Sequence, residues 1–337
     1  MEPRKTSAFI VHKRENGMRV LVFGAGAMGS AVGGFLAGAG HDVTLVGRGP
    51  HMDAVARDGL RVTGIWGDRV FRGLRALTAA PDAPPAGGYD AVFITVKSYD
   101  TEAALEAVAP CVGPDTPVCA YQNGLGNAEK TAARFGWERT VGVRAIYGVR
   151  VTAPGAITIT VIAAPTALGA LRPEGPAAAA RRLAEAMDAA GLPTVYSGRI
   201  ESLIWGKAAY NAALNPLSAL LDVPYGRLPE IPEAREMMDA VIGELYAVGR
   251  ARGADLDPPT ADEYRALFYE KLVPPTAAHY ASMHEDFARR RRTEVDAMNG
   301  ALAAFGEAAG VPAPVNALLA RMVHARERAL GIPPQGG

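Results

Sequence analysis

Cysteine is scarce in this chain: Cys111 and Cys119 are the two among 337 residues, and they form no CxxC. A disulfide framework is therefore excluded by number. The six histidines fall into no HxxxH or HExxH spacing, so no metal site is expected. A charge excess of either sign is lacking as well, since Lys+Arg and Asp+Glu both count 35. No global field draws the protein to nucleic acid or to an anionic membrane. No apolar run reaches the length of a membrane span. The first seventeen residues, MEPRKTSAFIVHKRENG, lack the long apolar core of a signal peptide. The expectation from these absences is a cytoplasmic protein without metal, membrane or nucleic-acid partner.

What is present points elsewhere. The length suffices for two domains with sizeable cores, and 49% hydrophobic with 21% charged residues is ordinary for a globular protein. Arg19 to Phe23 reads as a buried strand. It runs into Gly24-Ala25-Gly26-Ala27-Met28-Gly29, a small-residue helix over 30–39, and a second strand over 43–46. This is a βαβ unit with GxGxxG at its strand-to-helix turn, a Rossmann-type dinucleotide signature. Gly24 makes the turn, Gly26 lets the backbone approach a pyrophosphate, and Gly29 lets the helix pack close to the strand; the helix N-terminus then faces the phosphate charge. One further absence selects the cofactor. No Asp or Glu stands at the end of the second strand to take ribose hydroxyls. Gly47-Arg48-Gly49 stands there instead, and an arginine suits a 2′-phosphate. The expected cofactor is NADP(H), against the plainer reading of Arg48 as a solvated loop residue.

Strands over 89–96 and 117–122 end at Lys97-Ser98 and at Asn123-Gly124. Open α/β sheets place ligands at that edge, so Lys97 and Asn123 are candidate site residues. A strand-end lysine also simply meets water, and Asn-Gly also simply shapes a turn. Strands over 141–151, 156–161 and 167–171, a helix over 177–190 and a strand over 193–196 follow. After Gly198 strand signals nearly vanish, and helical periodicity predicts helices over 200–221, 233–252, 260–272, 279–290, 293–309 and 314–330. The expected fold is an α/β Rossmann-type dinucleotide-binding domain followed by an all-α C-terminal domain. Its expected parts are an extension over 1–17, the NADP-binding domain over 18–198, the helical domain over 199–330 and a tail over 331–337.

Within the first of these helices, LIWGKAAYNAALNPL places Lys207, Asn211 and Asn215 four apart. Each such step advances only about 40° around an α-helix, so the three side chains share one face. A cation on an otherwise apolar face is expensive unless something pairs with it. Alternatively, Lys207 is a snorkelling surface lysine. Pro216 removes a backbone N–H and predicts that the helix kinks or ends beside Asn215. Further on stand Ser282-Met-His-Glu-Asp286 and Thr293-Glu294-Val-Asp296-Ala-Met-Asn299-Gly300, separated by Arg289 to Arg292. Glu294 reads either as a first-turn glutamate of a capped helix or as a carboxylate paired with Lys207. The four arginines cannot share one helix face, so most are expected in water.

In order, GAGAMG with GHDVTLVGRG, VKSYDT, QNGLGN, WGKAAYNAALNPLSALL and SMHEDFARRRRTEVDAMNG resemble the ketopantoate reductase (2-dehydropantoate 2-reductase) family from Met18 to about Arg328. The resemblance implies a Rossmann domain joined to a helical one and NADPH-dependent reduction of a 2-oxo acid. It implies Lys207 as general acid, Asn211 and Asn215 as ligands of the substrate hydroxyl, and Ser282 as ligand of its carboxylate. It also implies Glu294 as organiser of lysine and substrate, Lys97 and Asn123 beside the nicotinamide, and Arg48 on the 2′-phosphate. Monomer and homodimer both stay open. The alternatives are a reductase of another 2-oxo acid, an opine-type dehydrogenase on the same fold, and a non-catalytic NADP(H) sensor.

Overall fold

The computed structural model describes residues 17–334. The expected extension over 1–17 and the end of the tail lie, Gly17 and 331–334 apart, outside the described residues. Strand β1 (Arg19–Phe23), helix α1 (Ala27–Gly38) and strand β2 (Asp42–Val46) form the opening βαβ unit. Helix α2 (Gly49–Asp58) and three short strands follow, β3 (Leu60–Gly64), β4 (Arg69–Phe71) and β5 (Arg75–Leu77). Then come β6 (Ala91–Ile94), α3 (Thr101–Val108), β7 (Val118–Ala120) and α4 (Asn127–Phe135). Two long strands, β8 (Thr140–Ala153) and β9 (Ala156–Ala170), lead to α5 (Ala177–Ala189) and β10 (Thr194–Tyr196).

These strands form one sheet in the order β4-β3-β9-β8-β7-β6-β1-β2-β5, with β10 on β9. The run from β5 to β8 is parallel throughout. Its carboxyl ends therefore share one edge, where the glycine turn, Lys97 and Asn123 emerge. Strand β9 returns antiparallel to β8 through several register shifts. It is continuous where the sequence suggested two pieces, because β8 pairs with it along nearly its whole length. Val20, Val22, Val32, Phe35, Leu36, Leu45 and Phe93 are fully buried between sheet and helices. Burying each such side chain contributes roughly 1.5–3 kcal/mol.

Helices dominate the rest: α6 (Ile200–Leu221), α7 (Pro232–Ala251), α8 (Ala261–Leu267) prolonged by a π turn over Phe268–Leu272, α9 (Ser282–Ala288), α10 (Asn299–Ala308) and α11 (Pro314–Ala329). Their core is built on Ala209, Ala212, Leu214, Met238, Ile242, Phe268 and Leu302. Among the described residues no helix is long and apolar enough to cross a membrane.

One local alternative is decided here, and one expected helix is overturned. Helix α6 runs through Pro216 to Leu221, over the range the periodicity predicts, so the proline does not end it. Proline cannot donate to the carbonyl one turn back, and that carbonyl, of Ala212, instead accepts from the Asn299 side chain at 3.0 Å. The same amide donates to Asn316 Oδ1 at 2.9 Å. Asn299→Leu leaves two buried acceptors without donors, and the expected loss is about 2–3 kcal/mol, read as a lower urea midpoint at unchanged slope. An unchanged midpoint would show that Asn299 is not what makes the proline tolerable.

The helix expected over 293–309 is also divided. Val295–Ala297 forms a 3-10 turn, Met298 leaves helical geometry at φ −112° and ψ −100°, and α10 starts at Asn299. The carbonyl of Ala297 faces the sheet half, where the backbone N–H of Leu125 donates to it at 2.7 Å. A contact between the two halves has displaced a helical one.

Candidate active site

The glycine turn is shaped by what lies against it. Gly24 has φ +107°, and a Cβ there would stand 2.5 Å from the backbone nitrogen of Val96. A Cβ on Gly29 would meet Thr95 Oγ1 at 2.5 Å. Gly26 differs: it is exposed, and its nearest neighbour would be 3.9 Å away. That leaves the start of α1 open to a ligand. The helix carries neither a side-chain cap nor an acidic residue in its first turn, so its free N–H groups and positive end are available to a pyrophosphate. Ala25 lies buried behind the turn, while Ala27 and Met28 open the helix on its rim. Arg48 caps the start of α2 just past β2, is exposed, and makes no ion pair among the described residues. A guanidinium so placed suits a phosphate dianion.

Lys97 follows β6 at the same edge. Its Nζ donates to Glu294 Oε2 at 2.9 Å and to Asp286 Oδ2 at 3.2 Å. Burial by itself would lower the lysine pKa, but Glu294 and Asp286 outweigh it and hold the pKa above the ordinary range. Burial raises the Asp286 carboxyl, and Lys97 and Arg291 pull it part of the way back. Glu294 also accepts from the Ser98 backbone N–H at 3.0 Å. It is bonded to Lys97, then, and not to Lys207 as its carboxylate reading held. The split of the expected helix turns it back toward the β6 edge. Its effect on Lys207 is a longer-range attraction.

Lys207 Nζ donates to Asn123 Oδ1 at 2.7 Å and to the Ala145 carbonyl at 2.5 Å. Asn123 is fixed in turn, its carbonyl accepting from Asn127 Nδ2 at 2.8 Å. The following residue must be glycine: Gly124 has φ +86°, and a Cβ there would collide with the Ala297 carbonyl at 1.9 Å. The Lys207 pKa is lowered to about 8, first by burial and then by the Arg144 cation, against a smaller upward pull from Glu294. An ammonium that is still protonated near neutrality, yet acidic enough to give up its proton, is what proton donation requires.

The other candidates line α6 and α9. Asn211 is half-buried, and its amide has no partner among the described residues. Asn215 is only 3% exposed, because α6 runs past it. Its Oδ1 accepts from the Tyr225 hydroxyl at 2.5 Å, and its Nδ2 faces Met298 Sδ at 3.5 Å. Ser282 is the exposed first residue of α9, one turn before Asp286. Three of the four consecutive arginines reach carboxylates: Arg289 with Glu285, Arg291 with Asp286, and Arg292 with Asp296. Asp286 thus joins the site, though the sequence showed it only as part of a motif. Arg144 had no local signal at all. It lies in β8, its Nε and Nη1 are buried without a partner, and burial lowers its pKa. Among the described residues no group of three or more His, Cys, Asp or Glu side chains is placed to hold a metal ion.

Comparison with known proteins finds relatives along nearly the whole chain. Residues 20–173 match the family model described as ketopantoate reductase PanE/ApbA, and 199–327 match the model of its C-terminal part. The chain is 40% identical to a 2-dehydropantoate 2-reductase of Aquifex aeolicus, over 92% of this chain and 97% of that one. It is 35% identical to one of Pyrococcus abyssi, over 92% and 98%. Among solved structures it is similar to a PanE/ApbA family ketopantoate reductase from Ralstonia eutropha, at 30% identity and TM-score 0.81, over 93% of this chain and all (100%) of that one. D-mandelate dehydrogenase bound to NADH and anilino(oxo)acetate superposes at TM-score 0.83 and 27% identity, over 94% and 100%.

Proposed function

The chain belongs to the ketopantoate reductase family, and from that premise we propose that it reduces the C2 carbonyl of 2-dehydropantoate with NADPH to give pantoate. The single observation that carries the reading is Lys207. An ammonium has three protons; two go to Asn123 and Ala145, and the third is left for a substrate oxygen.

NADPH, when bound, supplies the hydride that C2 receives. The turn from Gly24 to Gly29, with the free N–H groups of α1, would hold its pyrophosphate, and Arg48 its 2′-phosphate. As negative charge grows on the carbonyl oxygen, Lys207 stabilises it and delivers the proton that completes the alcohol. Ser282 holds the substrate carboxylate. Asn211 and Asn215 hold the distal hydroxyl, which fixes the face that the ketone presents. Glu294 locks Lys97 and Ser98 in place, and its charge helps keep Lys207 protonated.

The test is turnover of NADPH with 2-dehydropantoate beside a panel of other 2-oxo acids, with and without amines. The expected kcat/KM for 2-dehydropantoate is about 10⁴ M⁻¹s⁻¹ or above. Exclusive turnover of another oxo acid would keep the chemistry and replace the substrate. An amine requirement would move the enzyme to the opine class.

Arg48→Ala tests the cofactor separately. The charge-assisted contact to the 2′-phosphate is expected to be worth about 1.5–3 kcal/mol. KM for NADPH should therefore rise some ten- to a hundredfold, about 1.4 kcal/mol per factor of ten, while KM for NADH stays within twofold or so. Equal losses for the two cofactors would remove Arg48 from the 2′-phosphate.

A further inference from the structure

Helix α6 closes on Asp222, which takes the left-handed conformation at φ 57°. The chain then doubles back: the Val223 N–H donates to the Ser218 carbonyl, and the Ser218 hydroxyl donates to the Val223 carbonyl at 2.7 Å. This fold-back lays Tyr225 against Asn215. Tyr225 is 3% exposed, edge-on to Tyr210 with ring centroids 5.9 Å apart and against His279 at 5.5 Å. Its backbone N–H donates to the His279 carbonyl at 2.9 Å. A Cβ on the neighbouring Gly226 would stand 2.6 Å from the Ala277 Cβ, so no slack exists between the two segments. The ring has one placement, and its hydroxyl ends on Asn215 Oδ1.

We propose that Tyr225 is a positioning residue that turns Asn215 into a donor-only contact, and so makes the site select 2-oxo acids carrying a distal hydroxyl. The inference rests on the reductase reading of Asn211 and Asn215. A primary amide offers an acceptor oxygen and a donor nitrogen. At Asn215 the oxygen is occupied by a buried phenol, and burial keeps that phenol protonated, its pKa raised above the ordinary range. The nitrogen is left with a thioether, a weak acceptor, at 3.5 Å. A substrate hydroxyl oxygen that displaces the thioether gains an N–H donor. Asn211, whose amide oxygen is uncommitted, can take the hydroxyl proton. The two amides are thereby assigned opposite roles toward one hydroxyl. An analogue with hydrogen in its place leaves the Asn215 N–H without a good acceptor, and such a site rejects the analogue for that reason.

The experiment compares kcat/KM for 2-dehydropantoate and for its deoxy analogue, 3,3-dimethyl-2-oxobutanoate, in the full-length wild type, Tyr225→Phe and Asn215→Asp. The wild type is expected to favour the hydroxylated acid. In Tyr225→Phe the amide is free to turn, and the preference should shrink about tenfold, the worth of one hydrogen bond to a neutral group. Turnover of the analogue should hold. Because the readout is a ratio on one enzyme sample, partial unfolding cancels from it. Asn215→Asp keeps the phenol bond but loses the donor, and should shrink the preference at least as much, even if Tyr225→Phe does not fold. Equal losses for both substrates in Tyr225→Phe, or an undiminished preference in Asn215→Asp, would overturn the proposal. A wild type that turns over neither acid would instead sink the reductase reading beneath it.

Discussion

Lys207→Ala is expected to lower kcat for oxo-acid reduction by about 10²–10⁴-fold, the range in which a positioned acid contributes, while NADPH still binds within a few-fold of its wild-type affinity. The lysine touches Asn123 and the Ala145 carbonyl but no part of the glycine turn, so the loss should fall on the chemical step. Steady-state turnover paired with a cofactor-binding titration separates the two. Lys207→Arg sharpens the test. A guanidinium keeps the charge that stabilises the developing alkoxide but does not give up a proton near neutral pH, so it should recover some of the lost rate without the pH dependence. That dependence has a definite sign. Burial first, and Arg144 second, lower the Lys207 pKa to about 8. The protonated acid therefore dominates below that value and is lost above it. Reduction in the intact enzyme should be nearly flat in the neutral range and fall about tenfold per unit as pH rises past 8. A Lys207→Ala enzyme within a few-fold of wild type would remove the lysine from the chemistry.

What was legible in the sequence, and what was not, divides along physical lines. The glycine turn was legible because its requirements are local: a left-handed Gly24 and an exposed Gly26 follow from a strand running into a helix within a few residues. The shared face of Lys207, Asn211 and Asn215 was legible because helical geometry alone fixes it, and α6 spans all three. How the helix passes Pro216 was not legible, for the opposite reason. Its local rule is sound, but the donor that serves the Ala212 carbonyl in place of the missing N–H comes from Asn299, 87 positions from Ala212. Glu294 was given the wrong lysine because the nearer one, Lys97, stands 197 positions away in the chain, at the end of a strand in the other half. Arg144 left no mark because an arginine inside a strand has no spacing rule. Its importance comes from β8 carrying the Ala145 carbonyl to Lys207. The short strands β4 and β5, three residues each, offer too little periodicity to be seen.

Glu294→Gln is the second large effect expected, and it tests that long-range assembly. The substitution removes the charge that Lys97 meets at 2.9 Å, leaving the ammonium to Asp286 alone. Breaking a fully buried pair costs about 3–5 kcal/mol. Here the Lys97 side chain is 37% exposed, so solvent screening reduces the expected loss to about 1–2 kcal/mol. The catalytic loss should be larger in proportion. Lys97 and the Ser98 N–H lose the group that holds the β6 edge against the helical half, and a misplacement of about 1 Å at a reacting centre costs about 10²-fold in kcat/KM. The pH profile then distinguishes electrostatics from mere loosening. Glu294 raises the Lys207 pKa and Arg144 lowers it. In Glu294→Gln the alkaline limb of the profile should move to lower pH. In Arg144→Gln it should move to higher pH, and in the double variant it should return toward the wild-type position. A structural disturbance has no reason to give limbs of opposite sign. Limbs that move the same way, or not at all, would mean that the acidity of Lys207 is set by burial alone and that neither charge tunes it.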